Sequence, residues 1–294
     1  MKLINKSNAH LFMVILAILF GLGFVWAEII AEAGNAYVIL FFVSIAGFVI
    51  TLIIAWFKKI NLKVNFRYIF FMNLMLLFTY IFELIGLQYT TSSNTSFIVQ
   101  LTVLIIPIIS SIVDRRLPAL RPIVLGLIAL IGIAIMTLDP ENLSVNTGDA
   151  LIVLVALSFS VYVVMVERTA DNPIAIAFYF FLMGIFLYLG FALMVGAEFS
   201  VPFGSLVFLL PFIAFIITLL LTMLLQVHVA KFIRPERIAI YYCLEPITTV
   251  IAAYFILQHV LTVRLAIGGA IILGTVILAS RKKSTSCNTG QLLL

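Results

Sequence analysis

The sequence is short of charged residues, cysteine and histidine. Charged side chains make up 10% of its 294 residues, hydrophobic residues make up 64%, and there are two cysteines and three histidines. A soluble domain has about a quarter charged residues, so this chain could not keep a soluble surface hydrated. Two cysteines provide neither a disulfide framework nor a metal cluster. These absences exclude a soluble enzyme, a disordered chain and a secreted disulfide-rich protein.

The sequence also lacks the motifs of common enzyme and nucleotide sites. It contains no P-loop, no HExxH and no GxSxG, so nothing predicts ATP-driven transport or hydrolysis by a metal or a serine. The net charge of +5 comes from basic residues between hydrophobic runs, which indicates a role in membrane topology. We therefore expect a protein that is not an enzyme, has no cofactor or metal and binds no nucleic acid.

Long hydrophobic runs fill the rest of the sequence, whose mean hydropathy is +1.28. Because a helix crosses the bilayer with roughly 20 apolar residues, these runs predict an all-α integral membrane protein with ten transmembrane helices and short loops. The predicted spans are 10–31, 36–57, 67–87, 93–113, 119–138, 149–166, 174–196, 205–228, 237–257 and 262–280.

The basic residues predict the side of the membrane on which each loop lies. If the amino terminus is cytoplasmic, all of the 17 Lys and Arg residues except Arg264 lie on the cytoplasmic side, as the positive-inside rule requires. We therefore expect both termini in the cytoplasm. The use of isoleucine, lysine and asparagine is typical of an AT-rich bacterial genome, so the expected location is a bacterial cytoplasmic (inner) membrane.

The two halves of the sequence resemble each other. A shift of 143 residues aligns Leu101 with Leu244, Arg121 with Arg264, and Gly126 with Gly269. Since each half has five spans, an odd number, the halves must insert in opposite orientations, which is the inverted repeat of many secondary transporters. The predicted domains are a five-helix repeat at 1–143, a second at 144–280 and a polar cytoplasmic tail at 281–294.

Few polar side chains lie inside the predicted spans, and each is a candidate for function because ionisable groups are costly in the bilayer. Glu245 lies near the middle of the ninth span, and Pro246 deprives a carbonyl one turn earlier of its backbone donor. Glu83 in the third span aligns with Gln226 in the eighth. Two interpretations stay open for these residues: a binding site, or hydrogen bonds that brace neighbouring helices.

Two stretches carry a family resemblance. GLQYTTSSNTSFIVQLTVLIIPIISSIVDRRLPALRPIVLGLIALIGIAI (Gly86–Ile135) resembles the first EamA-type repeat of the drug/metabolite transporter superfamily, and QVHVAKFIRPERIAIYYCLEPITTVIAAYFILQHVLTVRLAIGGAIILGTVIL (Gln226–Leu278) resembles the second. The pair Glu245–Pro246 and the closing Gly-rich helix are the most recognisable features, and the opening FGLGFVWAEIIA also resembles the family's first span. The resemblance implies a carrier of amino acids or other small metabolites that works by alternating access between two inverted halves.

These observations predict a central cavity, lined by spans one, three, four, six, eight and nine, that binds a small amphipathic solute. Glu245 and Glu83 are expected to hold an amine or to exchange a proton. The other predicted substrate-binding residues are Tyr80, Tyr241, Trp26 and Phe24 for apolar parts of the solute, and Gln100, Thr102 and Gln226 for polar parts.

The sequence thus predicts a monomeric secondary active transporter for an amino acid or similar solute, working as an exporter or exchanger with the proton as candidate coupling ion. An uptake carrier for a host or environmental metabolite is the alternative. A lipid-modifying enzyme and a structural subunit are further alternatives. The enzyme would need acids and histidines clustered at one interface, and the structural subunit would have no solute-sized central cavity.

Overall fold

The computed structural model describes residues 8–90, 92–137, 147–258 and 263–280. Every regular element within these ranges is an α-helix. The first half contains α1 (Ala9–Ala31), α2 (Ala36–Phe57), α3 (Phe66–Leu87), α4 (Ser92–Val99), α5 (Thr102–Val113) and α6 (Leu120–Thr137). The second half contains α7 (Thr147–Glu167), α8 (Pro173–Met194), α9 (Leu206–Val229), α10 (Pro235–Tyr242), α11 (Glu245–Leu257) and α12 (Val263–Ser280).

These twelve helices form ten passes through the membrane. Eight segments of the described residues are long and apolar enough to cross a bilayer, and two of these join paired helices, at Thr95–Val113 and Pro235–Ile256. The helices α6 and α12 have 18 residues each, or about 27 Å of length, close to the ~30 Å hydrocarbon core. The prediction of an all-α integral membrane protein with ten transmembrane helices is confirmed.

The predicted fourth and ninth spans are not continuous helices. The fourth is divided at Gln100–Leu101 and the ninth at Cys243–Leu244. Pro246 explains the second division, because it has no N–H for the carbonyl of Tyr242, where α10 ends. Val103 stands at the aligned position of the first half, so proline does not explain the first division. Interrupted spans of this kind accompany binding sites in secondary transporters.

The contacts between the two halves come in pairs, in which each helix is replaced by its counterpart in the other half. Helix α1 packs on α9, and their counterparts α7 and α3 pack on each other. In the same way α1 contacts α11, and α7 contacts α5. The equivalent helices α2 and α8 pack together, as do α6 and α12. Each contact therefore has a counterpart when the halves are interchanged, as expected of two repeats related by a two-fold axis. With five passes in each half, the repeats are inverted.

The pair α6 and α12 approaches closely at a small residue. A Cβ atom at Gly132 would lie 3.0 Å from the carbonyl oxygen of Gly268. Glycine lets the backbones of two membrane helices come together and increases their van der Waals contact. The predicted boundary between the repeats, at 143–144, and the predicted tail, 281–294, lie outside the described residues, so that division into domains stays a prediction.

Candidate functional site

A small cavity lies between the two halves. Its volume is about 40 Å³, which is room for a few water molecules. Its walls come from α1, α3 and α4 of the first half and from α7 and α9 of the second. The lining residues are Phe20, Gly23, Phe24, Thr79, Tyr80, Glu83, Val99, Val155, Phe159, Phe215, Thr218, Leu219 and Thr222.

Helical periodicity brings these side chains to one place. On α3 the lining positions are Thr79, Tyr80 and Glu83, and on α1 they are Phe20, Gly23 and Phe24. Both sets follow the spacing i, i+3 or i+4, which defines one face of a helix. Five of the six predicted spans contribute to the walls. The ninth span, formed by α10 and α11, does not line the cavity.

Glu83 is the one acidic residue of the cavity lining. It is 6% exposed, and its carboxylate accepts no hydrogen bond from any described residue. A buried carboxylate normally has a hydrogen-bond or charged partner, because removing it from water is costly. An acid that lines a cavity and has no partner among the described residues indicates a binding function.

Aromatic rings form much of the rest of the wall. The rings of Phe20 and Phe159 meet edge to face, with centroids 5.6 Å apart, and both contact Tyr242 at 5.5 and 5.6 Å. On the other side Tyr80 meets Phe215 edge to face at 6.2 Å. Such contacts stabilise the wall by about 0.5–1.5 kcal/mol per pair beyond simple burial, so they hold the rings in fixed orientations.

A second polar site lies at the interruptions of the fourth and ninth spans. Glu245, the first residue of α11, is 1% exposed, and the Nε2 atom of Gln100 donates a 3.1 Å hydrogen bond to one oxygen of its carboxylate. The other oxygen, Oε1, has no partner among the described residues. Because Gln100 lies at the interruption of the first half, this bond joins the two interruptions.

Further buried polar groups belong to the second site. The side-chain oxygens of Gln100, Thr102, Tyr162 and Tyr242 are buried and have no partner among the described residues. The ring of Tyr242 contacts the rings of Phe20 and Phe159, which line the cavity, so the second site is close to the cavity. Most buried polar groups in proteins are hydrogen-bonded. Several unpaired polar groups lie together here, and the packing of the helices does not by itself require them.

The predicted site residues fall into three groups. Phe24, Tyr80 and Glu83 line the cavity. Gln100, Thr102 and Glu245 lie at the interruptions of the fourth and ninth spans and do not line the cavity. The other three, Trp26, Tyr241 and Gln226, do not line the cavity. Sequence reasoning missed lining residues such as Phe20, Thr79, Phe159, Phe215 and Thr222.

The last group has other contacts. The hydroxyl of Tyr241 lies 2.7 Å from Nδ1 of His10, which ties α10 to the beginning of α1. Trp26 is half-buried and packs against the hydrophobic core. Gln226 is buried on α9, one helical turn beyond the lining residue Thr222, and its Nε2 atom has no partner among the described residues.

Charged residues join the halves at the end of the bundle that the basic residues predict to be cytoplasmic. Arg116, between α5 and α6, forms an ion pair with Glu236 at the start of α10, whose side chain is 7% exposed. Ser110 donates a 3.0 Å hydrogen bond to the same carboxylate. Asp114 accepts from Arg116 at 2.9 Å and from Arg168, just after α7, at 2.6 Å. We call these residues the terminal ion network.

Arg116 and Arg168 of the terminal ion network change the pKa of Asp114, which accepts hydrogen bonds from both. Hydrogen bonds from Arg116 and then from Arg168 lower the pKa of the Asp114 carboxyl group below its ordinary value of 3.8. Since a carboxylate is favoured by donors and by nearby positive charge, Asp114 stays ionised at neutral pH. The network therefore carries full charges across the interface between the halves.

The chain matches one family model twice. The model of the EamA-like transporter family matches residues 7–138 and again residues 146–281, which together cover most of the sequence. The chain belongs to the EamA-like transporter family. This EamA protein is therefore a multi-pass membrane protein built from two copies of the family repeat, and the family resemblance of the sequence is confirmed.

Two similar proteins add to this finding. An uncharacterized transporter of Archaeoglobus fulgidus is 27% identical over 203 residues, which are 68% of this chain and 64% of that relative's length. A solved crystal structure of a protein superimposes with a TM-score of 0.78 at 16% identity and covers 94% of this chain and 97% of its own. The structural likeness shows that the fold recurs nearly complete in another protein.

Proposed function

We propose that this EamA protein is a secondary active transporter that carries a small amphipathic metabolite, an amino acid or a similar solute, by alternating access. The observation that supports this most is the unpaired Glu83 carboxylate in a cavity between two inverted repeats. Secondary transporters bind their solutes at such a repeat interface, and an acid without a partner in the membrane is a functional group by default.

The size of the cavity bears on the mechanism. About 40 Å³ holds a few water molecules and no metabolite, so a solute enters only after the halves have moved apart. A cavity this small would by itself also fit a structural subunit. Family membership and the unpaired Glu83 favour the transporter. In this proposal the terminal ion network closes one end of the path and opens when the halves rock.

The residues of the two polar sites have separate roles in the proposal. Glu83 holds an amine group of the solute or a proton, and Phe24 and Tyr80 pack against its apolar part. Glu245, held by Gln100 with Thr102 nearby, exchanges a proton. Tyr241, Trp26 and Gln226 remain predicted contacts for a conformation in which the halves have moved.

Coupling to protons follows from the chemistry of a single carboxylate. The Glu83 carboxylate cannot hold a proton and an ammonium group at the same time, so each displaces the other. A carrier that moves with one or the other exchanges solute for protons across the membrane. This supports an exporter or exchanger over a simple channel, and we propose that the protein works as a monomer in a bacterial cytoplasmic membrane.

The function is tested with purified protein in proteoliposomes incubated with a bacterial metabolite extract, followed by mass spectrometry of the lumen. We expect selective movement of a small set of amphipathic solutes, lost in Glu83→Gln and reduced in Glu245→Gln. The matched control is Glu198→Gln, an exposed acid before α9. Movement of no solute would contradict the proposal, and wild-type rates in both variants would remove these acids from the mechanism. The same assay in right-side-out vesicles separates export from uptake.

Topology is tested by cysteine labelling in intact cells. Cys243 is buried, so Cys287→Ser provides a background with low labelling. We expect a membrane-impermeant maleimide to label Glu198→Cys and to spare Lys58→Cys, because Lys58 lies in a basic loop that the positive-inside rule places in the cytoplasm. The reverse pattern would contradict the proposed orientation.

A further inference from the structure

The charges on the residues that line the cavity indicate which class of solute can bind to them once the halves have moved apart. Among the described lining residues Glu83 is the only acid, and none is Lys, Arg or His. An amino acid would bring its own carboxylate into this site beside Glu83. That carboxylate would lose its water without gaining a positive partner, and buried charges need such a partner.

Helix amino termini are the other common way to bind a carboxylate, and at α11 that position already holds an acid of the chain itself. Glu245 places its own acidic group in the first turn of α11. The amides of Cys243 and Leu244 donate to the carbonyls of Ile240 and Tyr241 at 3.2 and 3.0 Å. The half-helix α11 therefore has a negative group of its own where a solute carboxylate would have to bind.

The interruption of the first half is closed in the same manner. The amides of Gln100, Leu101 and Val103 donate at 3.1, 3.0 and 3.0 Å to the carbonyls of Phe97, Ile98 and Gln100. These short 3₁₀-type bonds leave the named amides with backbone partners. The amides of Gln100, Leu101 and Val103 are thus not free to bind an anion.

The aromatic walls favour a positive charge and an apolar body. Five of the lining residues carry rings: Phe20, Phe24, Tyr80, Phe159 and Phe215. The face of such a ring attracts an ammonium group, and ring edges and faces also pack against an aromatic group of a ligand. A carboxylate gains neither interaction.

We propose that the cavity selects a monocationic amine that carries an aromatic or alkyl group and no carboxylate. The ammonium group binds the Glu83 carboxylate, and the apolar group packs among the rings of Phe24, Phe159 and Phe215. This inference rests on the proposed function and narrows its solute class from amphipathic metabolites in general to amines.

Three probes with the same benzene ring test the inference: 2-phenylethylamine, phenylalanine and 3-phenylpropanoate. They are a cation, a zwitterion and an anion at neutral pH. Binding is measured by isothermal titration calorimetry with the purified full-length protein in detergent. We expect 2-phenylethylamine to bind at least about tenfold more tightly than phenylalanine, which is about 1.4 kcal/mol, and 3-phenylpropanoate to show no binding.

The variants locate the selectivity. Glu83→Gln should abolish the preference for the amine, while Glu198→Gln should keep it. If Glu83→Gln does not fold, the affinities of the wild-type protein for the three probes still test the inference. Equal or tighter binding of phenylalanine would overturn the inference, and so would binding of none of the three probes. If the metabolite assay nevertheless shows transport that depends on Glu83, the proposed function stands and only the solute class is wrong.

Discussion

Gln100 and Glu245 connect the interrupted span of one repeat to the interrupted span of the other through a hydrogen bond of 3.1 Å. Both side chains are buried. Gln100 follows α4 and Glu245 begins α11, so a rocking motion of the halves either carries this pair along or breaks it. The bond therefore links the two halves at both of their interrupted spans.

Loss of this bond should destabilise the protein. Gln100→Ala leaves the buried carboxylate of Glu245 without its donor, and we expect it to lower the free energy of unfolding by about 1–3 kcal/mol. In a double-mutant cycle with Glu245→Gln, measured by unfolding in mixed detergent micelles, the effects should be less than additive. Additive effects would show that the two side chains do not stabilise each other.

The repeat alignment predicted the fold better than it predicted partners. A shift of 143 residues pairs Glu245 with Thr102 and pairs Gln100 with Cys243, yet the structure joins Gln100 to Glu245. Symmetry identifies equivalent positions in the two halves. Contacts between the halves are made by residues that are not equivalent, and their identity depends on the geometry of packing.

Helix α1 lies so close to α11 at Gly21 that we expect a larger residue there to destabilise the protein. A Cβ atom at Gly21 would lie 2.8 Å from the carbonyl oxygen of Glu245, so Gly21→Ala forces the helices apart. We expect a loss of about 1–3 kcal/mol in the free energy of unfolding. Gly190→Ala is the control, because a Cβ atom there meets no heavy atom within 4 Å. Equal stability of both variants would show that α1 adjusts without cost.

The terminal ion network should control access to the cavity. Arg116→Ala leaves the buried Glu236 with Ser110 as its remaining side-chain hydrogen-bond donor among the described residues, which weakens the contact between the halves at this end. In protein carrying Thr222→Cys in the cavity wall, we expect Arg116→Ala to speed maleimide labelling severalfold from the predicted cytoplasmic side.

The exposed Arg237 provides the matched control for this experiment. It lies one residue after Glu236 and forms no ion pair within the described part of the chain. Arg237→Ala should leave the labelling rate of Thr222→Cys unchanged. Equal labelling rates of Thr222→Cys with and without Arg116→Ala would show that the terminal ion network does not close the path.

Acid should remove the contribution of Asp114. Hydrogen bonds from Arg116 and Arg168 lower its folded-state pKa below 3.8, so its ionised form stabilises the protein above that value, and this is lost as pH falls through the folded-state pKa. Asp114→Asn should thus be less stable than wild type at neutral pH, with a difference in melting temperature that shrinks as pH falls towards 3. A difference that is constant with pH would contradict this.

Some of the residues that line the cavity can be predicted from the sequence. Glu83 and Tyr80 stand out in the sequence as polar or aromatic groups in a span, and the helical spacing from Glu83 also points to Thr79. Phe159 and Phe215 could not be chosen from many similar phenylalanines, because an aromatic residue in a membrane helix faces lipid, core or cavity without a change in local pattern. The rotation of each helix, set by packing between the halves, decides among these.

A second glycine, two residues from Gly21, should separate binding from stability. A Cβ atom at Gly23 would lie 3.6 Å from the Thr218 methyl group, an ordinary contact, and Gly23 lines the cavity. Gly23→Ala should leave the free energy of unfolding unchanged or raise it by up to about 1 kcal/mol. The added methyl group occupies space that a solute needs, so binding of 2-phenylethylamine should weaken severalfold in calorimetry. Unchanged binding with unchanged stability would show that the solute does not contact this part of the wall.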